Sequence, residues 1–285
     1  MANEAIKSLS DFTSKVVEFR ARWRVPDNKE VWFRGEDRDF GETKLVPKLY
    51  RPKKDEPLKR VTKLLDIENQ LSDEFSRLGA QLCEPKIDPE YENWDWYFLM
   101  QHHGAVTRLL DWTDGALIAL HFASKLKEDD EKPRFVYLLA PDRLKDKMKT
   151  LHGETRQQWK AYIKKHLFYK YTDREDDWEH AFLPGGRKDL KELNVPKVPL
   201  LLDFPHITRR VGAQRSRFIV FGTSPYWLRD RINKTGFPLE VVTIGGSSTA
   251  SIRRELRDCG ITESVIFPDL DGVGREVSQL FEQQK

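Results

Sequence analysis

Six short runs rich in β-branched and aromatic residues limit what this chain can become: EVWFRG (30–35), AVTRLLDW (105–112), RFVYLLA (134–140), VPLLLDF (198–204), SRFIVFG (216–222) and LEVVTI (239–244). Each has the length of a strand, and several are closed by glycine or proline. The stretches between them carry helical periodicity. Residues 8–24 read as a helix with Ser10 as N-cap and Phe12, Val16, Val17 and Phe19 as its apolar stripe. Residues 57–78 read as a long amphipathic helix, 92–103 as a further one and 114–127 as a short apolar one. Residues 247–259 open on a Ser/Thr cap and end at a glycine, and a last helix closes the chain. Strands separated by irregular connections and helices predict an α+β fold, a mixed β-sheet core with flanking helices. Residues 142–199, polar and helical, read as a basic insertion within a single domain spanning 1–285.

Hydrophobic residues at 39% and charged residues at 33% of 285 positions describe a hydrophilic globular chain long enough to bury a core. No run of about 18 apolar residues is present, so no membrane span is expected. The amino terminus lacks the charged and apolar regions of a secretory signal, which points to the cytoplasm. Cys83 and Cys259 lie far apart without metal-ligand spacing, so neither a metal nor a disulfide is expected. Net charge is +3 but unevenly spread: residues 141–170 hold nine Lys/Arg against three Asp/Glu, and 205–234 hold seven against one. In the first stretch Lys164, Lys165 and Lys170 alternate with Trp159 and Tyr162, a pattern suited to single-stranded nucleic acid. The same pattern also describes a solvated helix face with its aromatics in the core.

Titratable groups concentrate in QHHGAVTRLLDWTDGALIALHFASK (101–125), immediately before an apolar helix. Strand alternation sets Arg108, Leu110 and Trp112 on one face and Thr107, Leu109, Asp111 and Thr113 on the other. Asp111 and Thr113 then point the same way, towards a strand end where a helix begins and an anion is easily held. Asp111 also reads as an ion-pair partner for Arg108. Of His102 and His103, one at most points inward, with Gly104 as the residue that ends the helix. Arg34, between Phe33 and Gly35, reads either as a ligand clamp or as a structural partner of Glu36 or Asp111. Gln214 reads as a site residue or as a buried amide.

The blocks VWFRGE (31–36), PKLYR (47–51), QHHGAVTRLLDWT (101–113), RRVGAQRSRFIVFG (209–222) and FPDLDG (267–272) resemble, in this order, the FRG-domain family, which is named for the Phe-Arg-Gly triplet. A weaker resemblance links the chain to the ADP-ribosyltransferase fold. It rests on an arginine on the first core strand and a strand ending in Ser/Thr that runs into the helix ALIALHFA. That second resemblance implies a core of ADP-ribosyltransferase type and NAD as substrate. Arg34, Asp111, Thr113 and Gln214 are then the catalytic candidates. Arg34, Gly35, His102, Thr107, Arg108 and Thr113 are the candidate cofactor contacts. AQRSRF holds no Glu where such enzymes carry one, which leaves the catalytic carboxylate open.

Cleaving the glycosidic bond of NAD develops positive charge on the ribose. It calls for a fixed arginine on the diphosphate and a carboxylate or carboxamide beside the sugar. The resemblance further implies an intracellular toxin or phage-defence effector held by a neutralising antitoxin protein, and the two basic stretches, lying outside the motifs of the expected pocket, point to nucleic acid, RNA, as its acceptor. Two other classes fit the same residues: a non-enzymatic nucleotide or nucleic-acid sensor, and a metal-independent ribonuclease using His102 or His103, Arg108 and Asp111.

Overall fold

The structure, a computed structural model, describes residues 4–52, 60–79, 81–82, 92–125, 131–165, 177–184, 195–202 and 209–282. All six runs are strands: β1 (Trp32–Glu36), β2 (Leu109–Thr113), β3 (Arg134–Leu139), β4 (Leu200–Leu202), β5 (Ser216–Val220) and β6 (Leu239–Ile244). They form one antiparallel sheet in the order β4-β5-β2-β1-β3-β6. The pairing is uneven. β1 follows β3 along its whole length, from Trp32↔Leu139 to Glu36↔Phe135, whereas β1 and β2 share the single pair Phe33↔Thr113. The sheet therefore parts into two half-sheets at its centre.

Strand alternation explains the layers. On one face Trp32, Leu110, Trp112, Tyr137, Ile219 and Leu239 make a continuous core that runs across the split. On the other face the core is divided. Phe33, Val136, Leu138 and Ile244 pack with Phe12 and Phe19 of α1 (Leu9–Arg22). Leu109, Phe218, Val220 and Leu202 pack instead beneath Trp94, Tyr97 and Phe98 of the helix Glu92–His102.

The helices largely occupy the expected stretches. After α1 come α2 (Val61–Gly79), α3 (Glu92–His102), α4 (Ala116–Ala123), α5 (Lys145–Leu151) and α6 (Gly153–Lys165). The carboxy-terminal part holds α7 (Arg209–Ala213), α8 (Thr249–Asp258), α9 (Glu263–Ile266) and α10 (Leu270–Glu282). The N-cap of α1 is Ser8, not Ser10. Ser8 and Asp11 exchange side-chain to backbone hydrogen bonds at 3.1 Å, a capping box that needs an acid three residues after the cap, and Ser10 has Thr13 there.

The described parts of 142–199 do not stand apart from the sheet. Trp159, Trp178 and Phe182 enter the same core as β4 and β5. The expectation that Trp159 stacks on nucleic-acid bases is thereby corrected, because its indole is 2% exposed and packs near-parallel to His180. The side chains of Tyr162, Lys164 and Lys165, and Lys170 altogether, lie outside the described residues. Among the described residues no helix is long and apolar enough to cross a membrane, and no group of His, Cys, Asp or Glu is arranged to hold a metal.

Two buried histidines tie stability to pH. Burial holds both His121 and His152 below the ordinary value of 6.5. The unfolded chain therefore takes up these protons first. The stability they contribute is present above that value and is lost as pH falls towards their depressed folded values. Thermal melts should show a midpoint falling steadily from about pH 7 to about pH 5. A midpoint flat over that interval would show that the two rings take up protons in the folded state as readily as in the unfolded chain.

Candidate functional site

Where β1 and β2 part, a cavity of about 280 Å³ opens between the two divided cores. β1 contributes Phe33, Arg34 and Gly35, and β2 contributes Asp111 and Thr113. Ser216 and Phe218 of β5 and Gln214 just before it close one side. Gln101 and His102 at the end of α3, Phe122 of α4 and Arg210 of α7 complete the wall. The expected common face of Asp111 and Thr113 is the face that lines this cavity, and it opens because the ladder stops at Phe33↔Thr113.

Arg34 spans the gap. Its Nη1 donates to the Asp111 carbonyl at 2.7 Å, and its Nε donates to buried Glu36 at 3.2 Å. In this register a continued ladder would have set Arg34 against Trp112 and Gly35 against Asp111, so the guanidinium satisfies a carbonyl that such a ladder would have engaged. Its Nη2 makes no hydrogen bond among the described residues and remains as a donor for a ligand. The structural reading of Arg34 thus holds, since it pairs with Glu36, and the same side chain also lines the cavity.

Asp111 does not pair with Arg108. Its exposed carboxylate accepts the Gln101 Nε2–H at 2.8 Å, and among the described residues it is the one acidic side chain lining the cavity. The Thr113 hydroxyl donates to the Gln214 carbonyl at 2.7 Å and accepts the Gly115 N–H at 3.0 Å. With its proton already committed, Thr113 ties the end of β2 to the entrance of β5 and can only accept from a ligand. Gln214 donates to the Ile266 carbonyl at 3.4 Å, which leaves its amide oxygen without a partner among the described residues.

His102 is half-buried and held below the ordinary histidine range, first by burial and then by the neighbouring charge of Arg210. At pH 7 it is a neutral imidazole. His103 is exposed and Gly104, at φ +84°, turns the chain out of the helix as expected. Arg210 lies over the Phe267 ring at 4.6 Å, and Phe122 meets the same ring edge-on at 6.0 Å. The carboxy-terminal FPDLDG segment thus braces the rear of the site.

Two expected contacts do not reach the cavity. Arg108 is 1% exposed and ion-paired with Glu68 of α2, and it also donates to the carbonyls of Phe221 and Phe182. Thr107 is fully buried, its hydroxyl donating to Gln101 and accepting the Leu109 N–H. It positions Gln101, which in turn holds Asp111. Gln101, Arg210, Ser216 and the aromatic lining escaped the sequence reading. Gln101 and Arg210 nonetheless stand inside two of its quoted blocks, and both were legible as polar residues adjoining the candidates.

The Phe-Arg-Gly triplet divides its work on β1. Phe33 fills a core, Arg34 faces the cavity, and Gly35 lets the backbone of α4 come close. Residues 29–132 match the FRG domain family. The matched span takes in three of the five blocks, from the triplet through to Thr113. The other two lie beyond it, yet Arg210 and Gln214 line the same cavity as the matched residues, and Phe267 packs behind it against Arg210 and Phe122. No curated protein and no solved structure matches the chain.

Proposed function

We propose that this cavity binds NAD and that the protein breaks its nicotinamide–ribose bond, passing ADP-ribose to a nucleophile, with RNA as the acceptor and an antitoxin protein as its restraint. One observation carries the reading: Arg34 on β1, Thr113 at the end of β2 before α4, and Gln214 at the entrance of β5 meet at one cavity. These are the three positions that the resemblance to ADP-ribosyltransferases implies.

The chemistry divides among named groups. Arg34 and Arg210 bring two guanidinium groups to the cavity wall, enough to hold a diphosphate. A cavity of about 280 Å³ takes one nucleoside end, with the remainder lying across the rim. Phe122 and Phe218 offer flat apolar surface to a nicotinamide ring. Asp111 supplies the negative charge that stabilises the ribosyl cation as the C1′–N bond breaks, and it then accepts the proton of the attacking hydroxyl.

A sensor that binds the nucleotide without cleaving it is the second reading. It is favoured by the engagement of Asp111 with Gln101 and by the lack of a glutamate in the wall among the described residues. The ribonuclease arrangement loses Arg108, which is buried against Glu68.

Nicotinamide release from NAD decides between them. Arg34→Lys keeps a positive charge beside Glu36 but loses the fork that grips phosphate, so turnover should fall by about a hundredfold while the melt is largely retained. Asp111→Asn should lower turnover at nearly unchanged NAD affinity. Wild-type protein that binds NAD without releasing nicotinamide is the sensor. Protein that does neither ends the proposal.

A further inference from the structure

Lys147 and Arg231 belong to different basic stretches of the sequence, 141–170 and 205–234, and the fold brings both to one ring. The Lys147 ammonium lies 5.6 Å and the Arg231 guanidinium 5.8 Å from the centre of Phe237. Phe237 is buried and holds the two cations in place, while Lys147 is exposed and Arg231 partly so.

The same phenylalanine belongs to the wall of an open groove of about 470 Å³ that shares no lining residue with the first cavity. Arg22 and Trp23 at the end of α1, the exposed turn 233–236 and Glu240 of β6 complete it. Lys234 stands in that turn. Thr235 and Gly236 beside it carry N–H groups that make no hydrogen bond among the described residues, donors of the kind a phosphate takes. Exposed Arg143 donates from Nε to the Trp23 carbonyl at 2.9 Å, which sets a further cation beside the groove.

Charge here is one-sided. Arg143, Lys147, Arg231 and Lys234 make no ion pair among the described residues. The carboxylate of Glu240 is held by Arg22 at 2.6 Å and by the Trp23 Nε1–H at 2.7 Å. Asp146 is engaged by Lys149 at 3.8 Å, and Asp230 by Arg229 at 2.8 Å. Cations in this number without partners, reachable from solvent, suit the phosphates of a nucleic-acid backbone. The groove is also placed for an acceptor. Glu240, Leu138, Phe33 and Thr113 pair in turn across β6, β3, β1 and β2, so groove and first cavity share one row of the sheet. Three strand spacings separate them, about 15 Å. A nucleotide that enters the cavity must leave its stack, which a single strand permits at least cost.

We propose that this groove binds the phosphate backbone of a single-stranded RNA, a nearby nucleotide of which reaches the first cavity as acceptor. Arg143, Lys147, Arg231 and Lys234 supply the charge. The second half of the proposal rests on the reading of RNA as acceptor, whereas the binding itself needs no NAD.

Fluorescence anisotropy of a labelled single-stranded RNA of about twelve nucleotides on the full chain, without NAD, tests it. Affinity should fall with salt at a log–log slope of about −3, four phosphate contacts at about 0.7 each. Lys147→Gln combined with Lys234→Gln should lower affinity at least about tenfold at about 0.1 M salt and bring the slope to about −1.5. Lys7→Gln combined with Lys63→Gln removes the same charge from two exposed lysines outside the groove and should change neither. Equal weakening by both pairs would make the attraction diffuse and overturn the groove. No binding at about 50 mM salt, or binding to vesicles of anionic lipid in place of RNA, would overturn it too. The expected pattern in a protein that releases no nicotinamide from NAD upholds the groove as an RNA site and overturns only its role beside a transferase.

Discussion

Gly35→Ala should lower the thermal midpoint by roughly 6–12 °C and abolish ligand binding at the first cavity. A Cβ at Gly35 would stand 2.0 Å from the Ala119 carbonyl oxygen and 2.7 Å from the Ala123 nitrogen, both backbone atoms of α4. Backbone on both sides cannot swing away as a side chain would, so β1 and α4 must separate. Overpacking of this kind costs about 3 kcal/mol, and each kcal/mol moves the midpoint of a chain this size by about 2–4 °C. α4 carries Phe122 and begins directly after Thr113 and Gly115, so its displacement also opens the cavity wall. Gly274→Ala is the control of opposite sign. It lies within α10 with nothing within 4 Å of the new methyl, and it should stabilise by up to about 1 kcal/mol. A Gly35→Ala melt within a degree or two of wild type would remove the close approach as the reason for glycine in the triplet.

Glu68→Ala should cost about 3–5 kcal/mol, because it strands the Arg108 guanidinium in the core. Glu68 is 1% exposed and accepts from the Arg108 Nε, the Arg108 backbone N–H at 2.8 Å and the Tyr97 hydroxyl. Through this pair α2, α3, the start of β2 and the segment after β5 are pinned at one point. Arg108→Met combined with Glu68→Ala should recover part of the loss, since no charge is then left buried. Denaturant midpoints of the two single variants and the double measure the coupling. A single-variant loss under about 1 kcal/mol would mean that water reaches the pair. The pin also has a functional consequence. It fixes the register of β2, and a slip of one residue would turn Asp111 and Thr113 away from the cavity.

All six strands and the α+β class were readable in advance because their patterns are local. Leu109, Leu110 and Trp112 alternate between two cores as period-two spacing requires, and Asp111 and Thr113 follow the same rule to the cavity side. The expected N-cap of α1 missed by two residues because Ser8 and Ser10 both qualify as caps alone. The carboxylate of Asp11, three residues on, selects the first.

Burial of polar side chains was less legible. Arg34 stands on β1 and Arg108 immediately before β2, each beside apolar residues, and nothing in either segment tells them apart. The difference is that Arg108 meets Glu68, 40 residues earlier, inside a closed core, while Arg34 meets Glu36 beside a gap in the sheet. Trp159 likewise sat among lysines in a pattern that fits a stacking surface equally well, and its burial was set by packing with β4 and β5.

By itself, then, the sequence determined which segments are strands and helices and which way their side chains alternate. Those properties depend on neighbours within one or two turns of chain. Only the tertiary structure decided that β1 and β2 part after one pair, that Arg210 and Gln214 arrive from 100 residues away to line the opening, and that Arg108 is a pin. A charge or a cavity is defined by what stands across from it in space, and alternation and periodicity along the chain carry no record of that partner.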